Sequence, residues 1–349
     1  MQTLKFSLLA VLFVAFTGLV QAQDKFEKKY HEAYEVTKGE TFEISNKFGD
    51  INIENTTADK ITIDAVVIVK ARSKEKADKI IESIKITISK SGSIVKAETD
   101  MEDLKMNNVD LEINYTVTMP AYLNTNLINK YGNVTINELH GKSNLAVKYG
   151  SLNVNKILDG NEKPLSSVEL GYCEHSTINE FNWGKVVIKY SKLKVGGGQA
   201  LVVSSKYSKL DLGNFSSIVA EAGYDNYNVG EIKNLVLTAK YTDVEIAKLT
   251  KKLQLENKYG DVSVETIPDG FSSIDVVSKY AQIKLGLAEN ANYNLDIKTS
   301  YADVKYNSLN ITNRVKEGSG MELIGTAGSK STDATITIRS EYGDVDLRP

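Results

Sequence analysis

One eight-residue phrase recurs along the chain, and it leaves few folds open. Its fullest form is Asn257-Lys258-Tyr259-Gly260-Asp261-Val262-Ser263-Val264. Relatives occupy residues 129–136, 239–246 and 340–347, and the first copy, 46–53, uses Phe in place of Tyr. The aromatic positions are Phe48, Tyr131, Tyr149, Tyr172, Tyr190, Tyr207, Tyr224, Tyr241, Tyr259, Tyr280, Tyr301 and Tyr342. From Tyr172 to Tyr259 they recur every 17 or 18 residues, and insertions nearer the ends stretch the spacing to 21 or 23. The longer gap before Tyr342 has room for one poorly matching unit. A fixed period of this length is the mark of a solenoid.

Each unit carries a second period. Before the aromatic residue, apolar side chains alternate: Leu253 and Leu255, Leu201 and Val203, Ile274 and Val276, Ile336 and Ile338. Alternation is the pattern of a half-buried strand. The same parity runs on through Asn257 to Tyr259, then flips after two residues to Val262 and Val264. The Gly-Asp, Thr-Asp or Ser-Lys pair between is a corner, where Gly, Asp and Asn tolerate turn dihedrals. One such rung buries too few apolar side chains to offset the entropy of ordering it, so rungs must stack. The fold expected is an all-β parallel β-helix, or β-solenoid, with rungs of about 17–21 residues and a tyrosine ladder at the corner.

Residues 23–120 are expected to form an N-terminal cap continuous with the repeat solenoid of residues 121–349. Alternation through Ile61, Ile63, Ala65, Val67 and Val69 predicts a strand. Residues 73–84 predict the one helix, with Ser73 as N-cap and Ala77, Ile80, Ile81 and Ile84 on one face. Further strands are predicted over 84–88 and 109–119. At the other end the chain stops just past its last strand, so the C-terminal rung is expected to be an open edge and a surface for self-association.

Residues 1–22 read as a secretory leader: Lys5, an apolar run from Phe6 to Val20, then Val20-Gln21-Ala22 at cleavage spacing. No cysteine near that site suggests a lipid anchor, and no later segment is apolar enough for a transmembrane helix. Cys173 is the single cysteine, so an exported chain would have no internal disulfide. With 42 Lys+Arg against 45 Asp+Glu the chain is mildly acidic, and losing Lys5 makes it slightly more so. That excludes the basic footprint of a nucleic-acid binder.

Catalytic and cofactor patterns are absent from the sequence. His31, His140 and His175 make no metal-ligand spacing. Cys173 and His175 could be a thiol–imidazole pair. They are read instead as a degenerate corner with a one-residue bulge, because Ile178 restores the apolar pattern late. Gly196-Gly197-Gly198 has no helix after it and is a corner, not a phosphate loop. The corner acids Asp50, Asp243, Asp261, Asp303 and Asp344 raise calcium, but Lys192 and Lys209 take the same position in other rungs. No cofactor or metal is expected.

The binding candidate is the lysine that precedes the aromatic residue: Lys130, Lys148, Lys189, Lys206, Lys240, Lys258 and Lys279, with Lys47 in the first copy. Stacking would align these outward residues. Such a row can be plain solvated surface, or a cationic face that holds acidic glycans or envelope polymers through many weak contacts.

The Asn-Lys-Tyr-Gly-Asp-Val-x-Val unit after a leader resembles the bacterial "putative adhesin" proteins, a domain-of-unknown-function family. The resemblance spans roughly residues 40–348. It implies an exported short-rung parallel β-helix and brings no catalytic residues. The expected role is a non-catalytic, adhesin-like binding or structural protein of the cell envelope. The alternatives are a polysaccharide-acting enzyme built on the solenoid, and a scaffold or sensor pairing through its terminal rung. No surface-sorting or anchoring domain is recognised after Leu347, which leaves periplasm, cell surface and free secretion as expected locations.

Overall fold

The structure, a computed structural model, describes residues 24–101, 109–307 and 309–348. The leader expected over residues 1–22 lies outside them. No helix among the described residues is long and apolar enough to cross a membrane.

Each repeat forms a rung of two strands joined at the aromatic corner. The leading strand Asn124–Lys130 pairs in parallel with Thr41–Lys47 on one side and Ser143–Lys148 on the other. The same register continues through Ser166–Gly171, Trp183–Lys189 and the later halves of Lys192–Lys206, Lys209–Gly223, Asn226–Lys240 and Asp243–Lys258. The first halves of those four long strands extend a second parallel sheet with Val134–Leu139, Leu152–Ile157 and Ser176–Phe181. The two sheets enclose one core in which the alternating Leu, Val and Ile of every rung stack, as with Leu145, Val168, Val186, Val203, Ala220 and Leu237.

At the corner the structure departs from parity. Alternation carried inward from Leu253, Leu255 and Asn257 would point Tyr259 into the core. All twelve corner aromatics instead have left-handed backbone, with φ between +51° and +62°. That conformation turns the ring outward, and the eleven tyrosines are 41–62% exposed. It costs a non-glycine residue roughly 1–2 kcal/mol. Two features offset the cost. Each aromatic N–H stays in the ladder, as Tyr207 N–H does with the Gly223 carbonyl at 3.0 Å. Each ring also stacks on its neighbours, and such pairs contribute about 0.5–1.5 kcal/mol beyond their buried area.

The residue after the aromatic is packed against the rung above. A Cβ on Gly132 would lie 1.9 Å from the Gly49 carbonyl oxygen, and one on Gly343 1.9 Å from that of Ala281. Glycine is therefore required at those corners. At two corners a polar side chain three residues earlier donates to the glycine carbonyl, Asn46 to Gly49 at 3.3 Å and Ser340 to Gly343 at 2.7 Å, while Asn129 reaches across to the Gly49 carbonyl at 3.1 Å. In the middle rungs a side chain replaces glycine and bonds between rungs. Ser191, Ser208, Asp225 and Thr242 each accept the backbone N–H of the equivalent residue in the preceding rung.

The N-terminal end is covered. Thr41–Lys47 continues into Ile94–Met101, which pairs antiparallel with Ile84–Ser91. Ile51–Asn55 continues into Asp110–Met119, then antiparallel Lys60–Ala71 and Asp24–Glu35. The helix Lys74–Glu82 has Ser73 as its N-cap and buries Ala77 and Ile80.

The C-terminal end overturns the expectation of an open last rung. Thr335–Glu341 lies between Ser273–Lys279 and Tyr293–Ser300, with seven residues paired in parallel on each side. Val345–Asp346 likewise lies between Ile283–Leu287 and Val304–Lys305. The last rung in sequence is inserted beneath the Tyr301 rung, so neither of its edges is free for self-association. The long gap before Tyr342 holds a hairpin, not a poorly matching rung. Gly320–Ala327 pairs antiparallel with Tyr293–Ser300, and Asn310–Glu317 pairs antiparallel with Gly320–Ala327. Gly318, at φ +55°, makes the turn that reverses the chain there.

Candidate binding surface

Stacking converts the recurring aromatic into a continuous ladder. Ring centroids are 4.7–5.2 Å apart from Phe48 through Tyr131, Tyr149, Tyr172, Tyr190, Tyr207, Tyr224, Tyr241, Tyr259 and Tyr280 to Tyr342 and Tyr301. Interplanar angles stay between 4° and 21°. The ring faces are consequently covered by one another, and solvent meets ring edges and hydroxyls. None of the ladder hydroxyls has a protein hydrogen-bond partner among the described residues.

The lysine row runs along one flank of this ladder. Register aligns Lys47, Lys130 and Lys148, then Lys189 with Lys206, then Lys240, Lys258 and Lys279. The row is broken where sequence spacing implied continuity. Gly171 stands between Lys148 and Lys189, and Gly223 between Lys206 and Lys240. At the far end Glu341 follows Lys279. These gaps lower the density of like charge along the row. Lys148 pairs with Glu169 at 3.2 Å and Lys279 with Glu341 at 2.6 Å. The Glu341 hydrogen bond raises the Lys279 pKa above its ordinary value. Lys130, Lys189, Lys206, Lys240 and Lys258 have no carboxylate partner among the described residues. Lys206 lies over the Tyr207 ring, 5.2 Å from its centroid. Beside the last part of the row is a groove of about 520 Å³ lined by Lys240, Lys258, Lys298 and Arg339, with Glu256.

The corner acids are engaged by backbone. Asp50 accepts the Asn133 N–H at 2.7 Å, Asp243 that of Asp261 at 2.9 Å, Asp261 that of Gln282 at 2.9 Å, and Asp344 that of Asp303 at 3.0 Å. Each carboxylate ties its rung to the next, which is a structural use. No group of three or more His, Cys, Asp or Glu among the described residues could hold a metal ion.

Cys173 is buried and takes the inward slot of Gly150 and Ser191, while His175 is exposed on the bulge. The Cys173 thiol faces the Val147 and Gly171 carbonyls at 3.4 Å, and no hydrogen bond joins it to His175. Asp225 is a buried acid, 2% exposed. Burial raises its pKa, against the Ser205 hydroxyl and the Ser208 and Gly223 N–H groups that bond it. Ser205 also meets the buried Tyr227 hydroxyl at 2.6 Å, and burial pushes that phenol up as well. The Ser205, Asp225 and Tyr227 side chains of this network are buried inside the corner.

Sequence reasoning missed Lys192 and Lys209 as members of the surface. They appeared as corner substitutes for Asp, whereas register sets them side by side on the opposite flank of the ladder. The signal was available in the position they share with Asp50 and Asp261.

Residues 188–348 match the family described as Toastrack DUF4097. No curated protein matches the chain. Among solved structures, a "putative cell adhesion protein" from Clostridium sporogenes is 11% identical, with 93% of this chain and 99% of that chain covered and a TM-score of 0.20. A "putative adhesin" from Bacteroides fragilis is 11% identical, with 92% and 97% covered and a TM-score of 0.30. One from Parabacteroides distasonis is 11% identical, with 74% and 95% covered and a TM-score of 0.30. At these scores the three likenesses carry no weight for function.

Proposed function

We infer, with the Toastrack match over residues 188–348 as the premise, that this is a non-catalytic, adhesin-like binding protein of the bacterial envelope. It presents its solenoid corner to acidic glycans or envelope polymers. The observation that carries this reading is the register of the outward-facing lysines. Rung stacking brings residues far apart in sequence, such as Lys47, Lys130 and Lys148, into one row beside one ladder of free phenol hydroxyls. In water two lysines at rung spacing repel by only about 1 kcal/mol, and salt screens this further. The members without a carboxylate partner, such as Lys130, Lys206, Lys240 and Lys258, are therefore tolerated and stay available to a polyanion, whose successive charges would bind by avidity.

The test is a screen of the mature chain against acidic glycans and envelope polymers, repeated with Lys206→Glu, Lys240→Glu and Lys258→Glu combined. Salt-sensitive binding that the triple variant loses is the expected result. Binding indifferent to the substitutions, or none at all, would reduce the row to solvated surface.

A further inference from the structure

The two flanks of the aromatic ladder differ in charge along its length. On the leading flank lysine recurs. On the trailing flank the equivalent row runs Asp50, Asn133, Ser151 and Glu174 before the middle rungs and Asn226, Asp243, Asp261, Gln282 and Asp344 after them. Only at the Tyr190 and Tyr207 rungs do lysines stand on both sides. Lys189 and Lys206 are in register on the leading flank, and Lys192 and Lys209 on the trailing flank. All four are exposed. Lys189, Lys192 and Lys206 have no ion-pair partner among the described residues, and Lys209 has only a 3.8 Å contact with Asp211. From residue 181 to 210 the chain carries no acid at all. A groove of about 530 Å³ lies here, with Tyr190, Tyr207 and Tyr224 along one side and Lys192 and Lys209 along the other, and Glu174 of the preceding rung also lines it.

We propose that these four lysines form a clamp for an acidic polysaccharide that crosses the ladder at the Tyr190 and Tyr207 rungs instead of following the whole row. This rests on the reading above that the corner binds an acidic polymer, and it fixes where and of what class. An axial path over the ladder soon meets Asp243 and Asp261 on the trailing flank. A transverse path meets cations on both sides and only there.

The polymer class follows from what the surface lacks. Single-stranded nucleic acids bind through bases stacked on open aromatic faces. The Tyr190 and Tyr207 faces are closed, 4.9 Å apart at 12°. Extended peptides commonly bind by adding a strand to a free sheet edge. Here Lys192–Lys206 is paired on both sides, so no edge is free. At these two rungs the exposed groups are ammonium groups and phenol hydroxyls, which match a carboxylated, hydroxyl-rich chain such as a polyuronate.

The experiment titrates labelled polygalacturonate against the mature wild type and two charge-reversed pairs, Lys192→Glu/Lys209→Glu and Lys240→Glu/Lys258→Glu. The clamp pair is expected to weaken binding by about 10-fold or more and the distal pair by less than about 3-fold, with melting temperatures unchanged and Lys192→Arg/Lys209→Arg retaining affinity. Equal losses from the two pairs would overturn the clamp while leaving acidic-polymer binding intact. No binding by the wild type would overturn both. Equal affinity for polyglutamate or single-stranded DNA would overturn the polysaccharide assignment.

Discussion

The ring of Tyr342 rests 4.9 Å from that of Tyr280, tilted by 9°, although the entire Tyr301 rung lies between them in the chain. The last rung has been threaded into a slot whose two walls were made earlier. Removing residues 329–349 should leave Ser273–Lys279 paired only with Lys252–Lys258, and Tyr293–Ser300 only with the hairpin strand Gly320–Ala327, so that each has one edge unpaired along seven residues. Unpaired edges recruit strands from other chains. The truncated protein is expected to form concentration-dependent oligomers by light scattering and to exchange amide hydrogen rapidly in those two strands. A monomer with unchanged protection there would show that the inserted rung is dispensable.

The left-handed corner makes a second expectation quantitative. Tyr207 stacks on Tyr190 and Tyr224, both at 4.9 Å, while its φ is +54°. Tyr207→Ala keeps the backbone cost and loses both ring contacts, so it should lose about 2–3 kcal/mol. Tyr207→Gly loses the same contacts but relieves the backbone and should be about 1 kcal/mol more stable than the alanine variant. Denaturant unfolding measures both. An alanine variant as stable as the glycine one would mean that the corner carries no such strain.

The repeat, the strands and the ladder were legible because each is written as a period: 17 or 18 for the rung, 2 for the strand. The direction of the tyrosine ring was not, because parity assumes extended backbone and Tyr259 is left-handed. The position of the last rung was hidden for a different reason. Nothing in residues 335–347 distinguishes pairing with the Ser273–Lys279 strand from pairing with Tyr293–Ser300, since both present the same apolar alternation. The hairpin Asn310–Glu317 and Gly320–Ala327 decides it by occupying the outer face of Tyr293–Ser300. The strand Asp24–Glu35 escaped notice because it covers the cap from outside and is largely exposed, with no apolar alternation to betray it. Lysine positions on the leading flank, and the glycines Gly171 and Gly223 that replace them, were readable singly, but the alignment of rung on rung is given by the register.

Two glycines in comparable places should respond oppositely to alanine. A Cβ on Gly132 would meet the Gly49 carbonyl at 1.9 Å, and backbone on both rungs leaves no room to yield. Gly132→Ala should cost about 1–3 kcal/mol or more through overpacking. A Cβ on Gly223 would meet only the Lys206 Cγ, at 4.0 Å. Gly223→Ala should leave stability unchanged or raise it by about 0.5 kcal/mol by restricting the unfolded chain. Thermal melts of the two variants decide it, and a Gly132→Ala protein as stable as wild type would contradict the close approach of the corners.

Asp225 gives the solenoid a pH dependence of definite sign. Its carboxyl is buried, which raises its pKa; the Ser205 hydroxyl and the Ser208 and Gly223 N–H groups oppose that without cancelling it. A carboxyl whose folded pKa exceeds its unfolded value, near 3.9, binds its proton more tightly in the native state. The resulting stabilisation is complete below the unfolded pKa and is lost as pH rises through the folded one. Thr242 fills the equivalent place in the next rung, where its hydroxyl accepts the Asp225 N–H at 3.2 Å. Asp225→Thr should therefore keep an acceptor for the Ser208 N–H while removing the titrating group. Urea unfolding of both proteins between pH 4 and pH 7 is expected to show wild type losing ground to the variant as pH rises. The variant should still be hampered at every pH by the unbonded Gly223 N–H and by a Ser205 hydroxyl left with Tyr227 but without the carboxylate, so the informative quantity is the slope of the difference. Parallel stability curves would mean that Asp225 titrates in the folded protein as it does in the unfolded chain.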